Sequence, residues 1–336
     1  MKTHQFQPDR SDALRRQLVD MPAQELPKRR PTGNSQVPAA NLASTDHGPL
    51  HRPQRTRRVV LTMAAASVGV IVLGQTNMSI QSAHAAGLLR SAAEQTMAFS
   101  DPTPGPGEYL RVHTHANWLV GRSDTAGNDM FTMNAQTIDV YVPGDPSRDW
   151  VLDRDWGAIA PRPGQKDTIH APDGEFYGIP WTVIDKQELI GLPREGKALI
   201  EHFNAQYQGG SASRDEDNFV RITDLLRTGL VPADLRAGLY EALALIPGVN
   251  ASEQTNFDGK PGISIGRSEP LRAGQRDEII IDPATGLVIG ERTVMTYALF
   301  GLGANNLTAH TAIDYSIVGS VPPANQPAME AGGPEK

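Results

Sequence analysis

The sequence predicts an α+β domain, an antiparallel sheet covered by short helices, over residues 81–321 of the 336-residue chain. After Glu108, several stretches alternate apolar and polar residues, which is typical of half-buried strands. Between Pro193 and Pro247 the apolar period changes to that of helices, and alternation then returns up to Gly319. Strands, helices and strands in this order, without regular βαβ alternation, favour helices packed on one side of an antiparallel sheet.

The first predicted elements are a helix and two strands. Residues from Ala85 to Phe99 have apolar side chains at helical spacing and end before a turn sequence rich in Pro and Gly. One face of the next strand carries Leu110, Val112, Thr114, Ala116 and Trp118. One face of a second strand carries Ile138, Val140 and Val142. Such alternation predicts antiparallel strands with one buried face.

Three short amphipathic helices are predicted next. Their apolar stripes are Leu199, Ile200, Phe203 and Tyr207; Phe219, Ile222, Leu225 and Leu226; and Leu235, Leu239, Leu243 and Ile246. A helix with one apolar stripe buries that stripe against another element, so these helices need a surface to cover. The strands that follow supply it.

The final strands are predicted in the stretches that begin at Pro261, Glu278 and Thr311. Asp282 to Gly286 has the composition of a hairpin turn. Residues 322–336 consist mainly of Pro, Ala, Gly and Glu, and we predict a disordered tail.

An apolar segment, residues 59–80, is predicted to be a single transmembrane helix. Its strictly apolar part ends at Leu73 and is shorter than the roughly 20 residues that cross a bilayer core, but the polar residues after it can lie in the interface. Three basic residues directly precede it: Arg55, Arg57 and Arg58. By the positive-inside rule they predict a cytoplasmic N-terminus. We therefore expect a single-pass protein of the cell membrane with its main domain outside the cytoplasm.

The alternative interpretation is an export signal that is cleaved near Ala85. Arg57 and Arg58 before the apolar residues are loosely like a twin-arginine signal, and small residues surround Ala85. The leader of 58 residues is long for a signal peptide, which favours the anchor.

Residues 1–58 are poor in apolar side chains and are predicted to be mostly disordered. Within them, Ser11 to Met21 has the spacing of a short helix that could contact a cytoplasmic regulator.

Charge and composition exclude several functions. Eleven basic and five acidic residues precede Val59, a net charge of +6, whereas 20 basic and 33 acidic residues follow, a net charge of −13. Nucleic-acid binding requires a basic surface, so we expect none from the acidic part. The chain has no cysteine, which excludes thiol catalysis and thiolate metal sites.

No sequence motif predicts catalysis or a cofactor. The nucleophile elbow, the Walker lysine loop and the zinc-protease helix are all missing. His113 and His115 share one strand face and could approach a metal together, but no third ligand is evident, and a solvated polar face is the favoured interpretation. The chain is therefore predicted to be neither an enzyme nor a cofactor-binding protein.

The four tryptophans are the candidate ligand-contacting residues. Trp118, Trp150, Trp156 and Trp181 all lie in the first half of the main domain. Aromatic residues most often fill a core, and the alternative is that some line an apolar groove, because ligand pockets are mostly apolar with few polar anchors.

Several stretches carry a family resemblance: "GEYLRV", "LRAGLYEALALIPGV", "FDGKPGISIG" and "EIIIDPATGLVIGE", together with the Arg-rich leader and single span. They resemble an actinobacterial family of single-pass membrane proteins of unknown function, often encoded beside extracytoplasmic-function sigma factors. The resemblance covers residues 10–320 and implies a lipoprotein-carrier or sigma-regulator fold, a curved antiparallel half-barrel closed by helices. It implies no catalytic residues, and it implies structural turns at residues 247–249, 258–262 and 282–286.

The leading hypothesis is a membrane-anchored extracytoplasmic binding or sensory protein, linked through its leader to sigma-factor regulation. Its expected partners are the membrane and a lipid, an apolar ligand or an envelope protein. The second hypothesis is a lipid or lipoprotein carrier module, which would function without residues 1–58. An envelope enzyme is the least favoured hypothesis.

Overall fold

The computed structural model describes residues 81–123, 129–159, 162–209, 211–272, 274–298 and 302–325, all in one unit. The helices are α1 (residues 81–98), α2 (Lys186–Gly191), α3 (Gly196–Gln206), α4 (Arg214–Leu226) and α5 (Ala233–Ala244). The first strands are β1 (Tyr109–Ser123), β2 (Asp129–Pro143), β3 (Trp150–Asp155), β4 (Lys166–Ala171), β5 (Glu175–Phe176) and β6 (Ile179–Pro180). The last are β7 (Asn250–Thr255), β8 (Pro261–Glu269), β9 (Gln275–Ile281), β10 (Val288–Met295) and β11 (Asn306–Val318).

Nine of the strands form one antiparallel sheet. Their order is β4-β3-β2-β1-β11-β10-β9-β8-β7, so the first and last strands of the domain meet at the centre, where β1 pairs with β11. The described parts of β4 and β7 are the two edges, and the sheet is not closed into a barrel. β5 and β6 form a separate small hairpin. The predicted α+β class with a large antiparallel sheet is confirmed.

One face of the sheet, here called the inner face, carries the apolar residues. The predicted alternation in β1 is confirmed, because Val112, Ala116 and Trp118 are buried there. Cross-strand pairing extends this face through Ile138 on β2 and Ile313 on β11, the two neighbours of Thr114. The strand period of two therefore places a continuous apolar surface under the helices.

Four helices cover one half of the inner face, and we call α1, α3, α4 and α5 the helix layer. The apolar stripes of α4 and α5 are buried. In the stripe of α3, Leu199 and Phe203 are buried, whereas Ile200 and Tyr207 are half-buried. They pack with β1 and β8–β11 through Val112, Ile265, Ile279, Ile281, Val288 and Ile313. The three predicted helices between Pro193 and Pro247 are thus confirmed.

An irregular segment, residues 172–184, covers the other half of the inner face. We call it the cover segment; it contains a short 3-10 turn, β5 and β6. Phe176 is buried against β1–β4, with Tyr177 and Trp181 packed beside it. The sheet residues of this second cluster include Ala116, Trp118, Ile138, Val140, Leu152 and Ile169.

Two predicted segments lie wholly outside the described residues, namely the leader 1–58 with Arg55, Arg57 and Arg58, and the apolar segment 59–80. Among the helices that the structure does describe, none combines the length and the apolar character that crossing a membrane requires. Residues 322–325 of the predicted tail are described. Asn325 donates its backbone N–H to the Thr168 carbonyl over 2.9 Å and its side-chain amide to the Lys166 carbonyl over 3.0 Å, so this part lies along the edge of β4.

Candidate functional site

A cleft of about 780 Å³ opens between the helix layer and the cover segment. Its floor consists of inner-face side chains from four neighbouring strands: Leu110 of β1, Val142 of β2, Trp150 of β3 and Tyr315 of β11. This volume lies within the range of about 300–1,000 Å³ that is usual for small-molecule sites. The cleft is therefore large enough for a ligand of that size.

The two walls of the cleft come from different parts of the chain. One wall is the cover segment, through Asp173, Glu175, Pro180 and Thr182. The opposite wall is the loop between α4 and α5, residues 229–232, and the mouth is bordered by α2. The Leu110, Leu230 and Val231 side chains make much of this lining apolar.

Position 229, in the wall formed by the loop between α4 and α5, requires glycine. Its φ angle is 70°, which L-residues with a side chain rarely adopt. A Cβ atom there would lie 2.3 Å from the Tyr315 ring, so the close approach of the loop to the floor also needs glycine. Tyr315 is fixed in turn, because its hydroxyl donates to the Val288 carbonyl over 2.7 Å. Burial raises the pKa of Tyr315, so this hydroxyl stays a neutral donor.

Acidic side chains predominate around the mouth. Asp101, Asp173, Glu175 and Asp185 line the cleft, and Lys186 is the only cationic side chain among its described lining residues. Asp101 is neutralised by Arg236, whose Nη2 lies 2.7 Å from its carboxylate. Asp173, Glu175 and Asp185 are exposed. The mouth therefore has a net negative charge.

A smaller cavity of about 40 Å³ lies further along the same face of β1. Its lining includes Thr114, Trp118, Trp181 and Ile313. The indole N–H of Trp181 is buried and has no hydrogen-bond partner within the described parts of the chain. A cavity of this size can hold about one water molecule or one small ligand group.

The four predicted tryptophans lie in different places in the fold. Trp150 lines the cleft, and Trp118 with Trp181 lines the smaller cavity. Trp156 lines neither of these two cavities. It is 2% exposed, and the Arg154 guanidinium lies 3.3 Å from its ring centroid. Trp156 is therefore part of a buried polar cluster.

That cluster is centred on Asp167 and attaches the cover segment to the sheet. The carboxylate of Asp167 accepts hydrogen bonds from Trp156 Nε1 at 2.8 Å and from the Tyr177 hydroxyl at 2.9 Å. Gln165 donates to its other oxygen at 2.6 Å, and Arg162 lies 3.2 Å away. Because Tyr177 belongs to the cover segment, its bond joins cover and sheet.

The hydrogen bonds also determine the charge of Asp167. Burial alone would raise the pKa of its carboxyl. The donors Gln165, Trp156 and Tyr177, assisted by Arg162, outweigh burial and hold the pKa below its usual range. Asp167 is therefore an ionised acceptor at neutral pH, and charge-assisted hydrogen bonds of this kind are stronger than neutral ones.

The opposite, outer face of the sheet carries His113 and His115, but it does not bring them to one site. His113 Nδ1 lies 2.7 Å from Asp139, which also accepts from Arg111 Nε at 2.7 Å. His115 Nδ1 lies 2.7 Å from Asp258 instead. The hydrogen bonds of His113 and Arg111 lower the pKa of Asp139 against the effect of its burial.

Each histidine thus has its own carboxylate partner, as in an ordinary polar surface. In the part of the chain that the structure describes, no group of three or more His, Cys, Asp or Glu side chains is placed to hold a metal ion. Around these two histidines the outer face consists of ion pairs and hydrogen bonds.

Comparison of the chain with protein-family models, with curated proteins and with solved structures found no match.

Sequence reasoning missed most of the residues that form the cleft. Asp173 and Glu175 lie in a stretch rich in Gly, Pro and aromatic residues, which indicates turns but not what they cover. Gly229 lies between two predicted helices, where a glycine usually signals only a helix end. The one sequence signal that points to this region is the clustering of tryptophans, of which Trp150 lines the cleft.

Proposed function

We propose that this chain is a membrane-anchored extracytoplasmic binding or sensory protein whose main domain takes an apolar ligand in the cleft between the helix layer and the cover segment. The observation that carries the proposal is the cleft itself. It combines a volume of about 780 Å³ with a floor of Leu110, Val142 and Trp150. Apolar floors with few polar groups are the usual form of small-molecule sites.

The fold type supports the same proposal. An antiparallel sheet with helices on one face leaves an apolar trough wherever the cover is incomplete. We propose that the sheet is a curved half-barrel of the lipoprotein-carrier and sigma-regulator type. The cleft would then be the ligand-binding trough of that half-barrel.

The topological part of the proposal is based on the leader sequence. The basic residues before residue 59 and the apolar segment 59–80 favour an anchor with a cytoplasmic N-terminus. Epitope tags at the two ends and protease treatment of spheroplasts would test it. We expect a full-length membrane-bound species with a protected N-terminal tag and an accessible C-terminal tag. A soluble product that begins near Ala86 would contradict the anchor.

Ligand binding is tested with a neutral apolar probe. Octanol would be titrated against the full chain in lipid nanodiscs by ligand-observed NMR, with empty nanodiscs as background. Leu110→Trp adds volume to the floor, where the side chain is only partly buried, so we expect weaker octanol binding without loss of folding. Leu271→Trp is the matched control, because Leu271 is 77% exposed and lies outside the cleft. Saturable binding that Leu110→Trp leaves unchanged would contradict the proposed site.

A further inference from the structure

We propose that the cleft selects ligands that combine an apolar body with a cationic group, such as an alkylammonium, over anionic amphiphiles. This inference rests on the proposed function, because it specifies the ligand class of the same cleft. Three observations support it: the charge of the mouth, two carboxylates there that have no side-chain partner among the described residues, and an indole ring beside them.

Two carboxylates at the mouth are available to a ligand. Asp173 and Glu175 line the cleft and are exposed, and neither has an ion pair or a side-chain hydrogen bond among the described residues. The remaining carboxylates are already engaged. Asp101 binds Arg236, and Asp185 accepts the Glu188 backbone N–H over 2.8 Å at the start of α2.

An aromatic ring lies next to this pair. Gly174, between Asp173 and Glu175, is so close to the Trp150 indole that an added Cβ would lie 2.5 Å from a ring carbon. Gly174 has a φ angle of 71°, and only a residue without a side chain combines this conformation with this contact. The glycine therefore brings the two acidic residues to the edge of the aromatic floor.

Carboxylates beside an indole ring form a favourable environment for an organic cation. An ammonium group gains from opposite charges and from the face of an aromatic ring, tryptophan being the most favourable ring. An anionic headgroup at the same position would face two unneutralised carboxylates, with Lys186 as the one opposing charge in the described lining. Charge complementarity thus favours a cationic amphiphile and disfavours anionic lipids and free fatty acids.

The test uses three probes with the same eight-carbon chain: octylamine, octanol and octanoate. Each would be titrated by ligand-observed NMR against the full chain in nanodiscs of neutral lipid at pH 7. The key variant is the double substitution Asp173→Asn and Glu175→Gln, in which asparagine tolerates the positive φ angle of 53° at position 173. The control is Glu94→Gln with Glu253→Gln, which removes the same charge from exposed residues outside the cleft lining.

We expect octylamine to bind most tightly and octanoate least tightly. The double variant should weaken octylamine binding about fivefold, as two partly exposed ion pairs would, and leave octanol binding unchanged. The control variant should bind all three probes as the wild type does. Raising the salt concentration should weaken octylamine binding in the wild type more than in the double variant.

The outcomes separate this inference from the proposed function. If octanol saturates the wild type but octylamine binds no better than octanoate, the charge preference is wrong and the apolar cleft stands. If octylamine binds the double variant as tightly as the wild type, Asp173 and Glu175 are not the groups that bind its ammonium. If no probe saturates the wild type, both the cleft and its ligand class are contradicted.

Discussion

The helix layer buries its half of the inner face mainly with aliphatic side chains, whereas the cover segment buries the other half with aromatic side chains and hydrogen bonds to a buried carboxylate. Leu235, Leu239 and Leu243 of α5 are each 0% exposed in the first half. In the second half, Phe176 packs on the sheet and Tyr177 bonds to the buried Asp167. The helix layer is thus held by non-directional apolar packing over a wide area, and the cover segment is held by a few directional contacts.

Backbone conformation sharpens the difference. Four non-glycine residues with positive φ occur in the described residues, and three of them, Asp173, Tyr177 and Val183, belong to the cover segment. Each such residue costs about 1–3 kcal/mol and persists only where its surroundings hold it. We therefore expect the cover segment to be the less stable side of the cleft and to open first when its polar contacts are removed.

The largest expected effect is on the helix layer. Leu239→Ala removes a fully buried side chain, and we expect a loss of about 2–5 kcal/mol in the free energy of unfolding. Leu245→Ala, at a side chain that is 55% exposed, should change it by less than about 0.5 kcal/mol. Urea unfolding monitored by circular dichroism measures both. Equal effects of the two substitutions would show that the helix layer is not the main core.

The next effect concerns the attachment of the cover segment. Asp167→Asn removes the charge that Trp156, Tyr177 and Gln165 bond to, and we expect a loss of about 1.5–3 kcal/mol. Limited proteolysis should detect faster cleavage within residues 172–184, while α5 stays resistant. Asp149→Asn, an exposed carboxylate outside the cluster, is the control. Unchanged cleavage of the cover segment would contradict the assigned role of Asp167.

A smaller difference is expected between two glycines. Gly174→Ala and Gly164→Ala impose the same backbone strain, because their φ angles are 71° and 70°. Only at Gly174 would the new methyl group meet the Trp150 ring, since nothing lies within 4 Å of the corresponding position at Gly164. We expect Gly174→Ala to destabilise the domain by about 1–2 kcal/mol more, through overpacking. Thermal unfolding of the two variants would measure this difference, and equal midpoints would contradict the contact.

The smallest expected effect is a pH dependence. The pKa of Asp167 is lower in the folded state than its ordinary value of 3.8, so the folded state binds this proton less readily than the unfolded state. The stability that Asp167 contributes is therefore complete above about pH 5 and is lost as the pH falls through the folded pKa. We expect the stability gap between wild type and Asp167→Asn to narrow between pH 5 and 3 in urea titrations. A gap that stays constant would mean that Asp167 does not titrate in this way.

The elements that the sequence could predict are those in which one periodicity persists. The alternation in β1 and the stripes of α3, α4 and α5 are confirmed, because each buries one regular face. The short strands β3 and β4 and the cover segment were missed. Their six-residue and two-residue lengths are too short for a period to emerge, and their position depends on pairing with residues far along the chain.

The candidate site was predictable only in part for the same reason. Trp150 and Trp156 looked equivalent in the sequence, yet β3 directs Trp150 to the cleft while Trp156 lies beyond the strand's end, beside Arg154 and Asp167. Those partners depend on the register of β3 with β4, which no local pattern specifies. The position of Asp173 and Glu175 at the mouth was likewise unpredictable, because it depends on how the cover segment packs on the sheet.

The central claim is that a ligand cleft separates a firmly packed half of the sheet from a half closed by a weaker cover. Hydrogen–deuterium exchange of the full chain, with and without octylamine, tests it most directly. We predict that residues 172–184 exchange faster than residues 233–244 without the probe, and that octylamine slows exchange in residues 172–184 and leaves α5 unchanged. Equal exchange in both segments, together with no protection of residues 172–184 by the probe, would contradict the account.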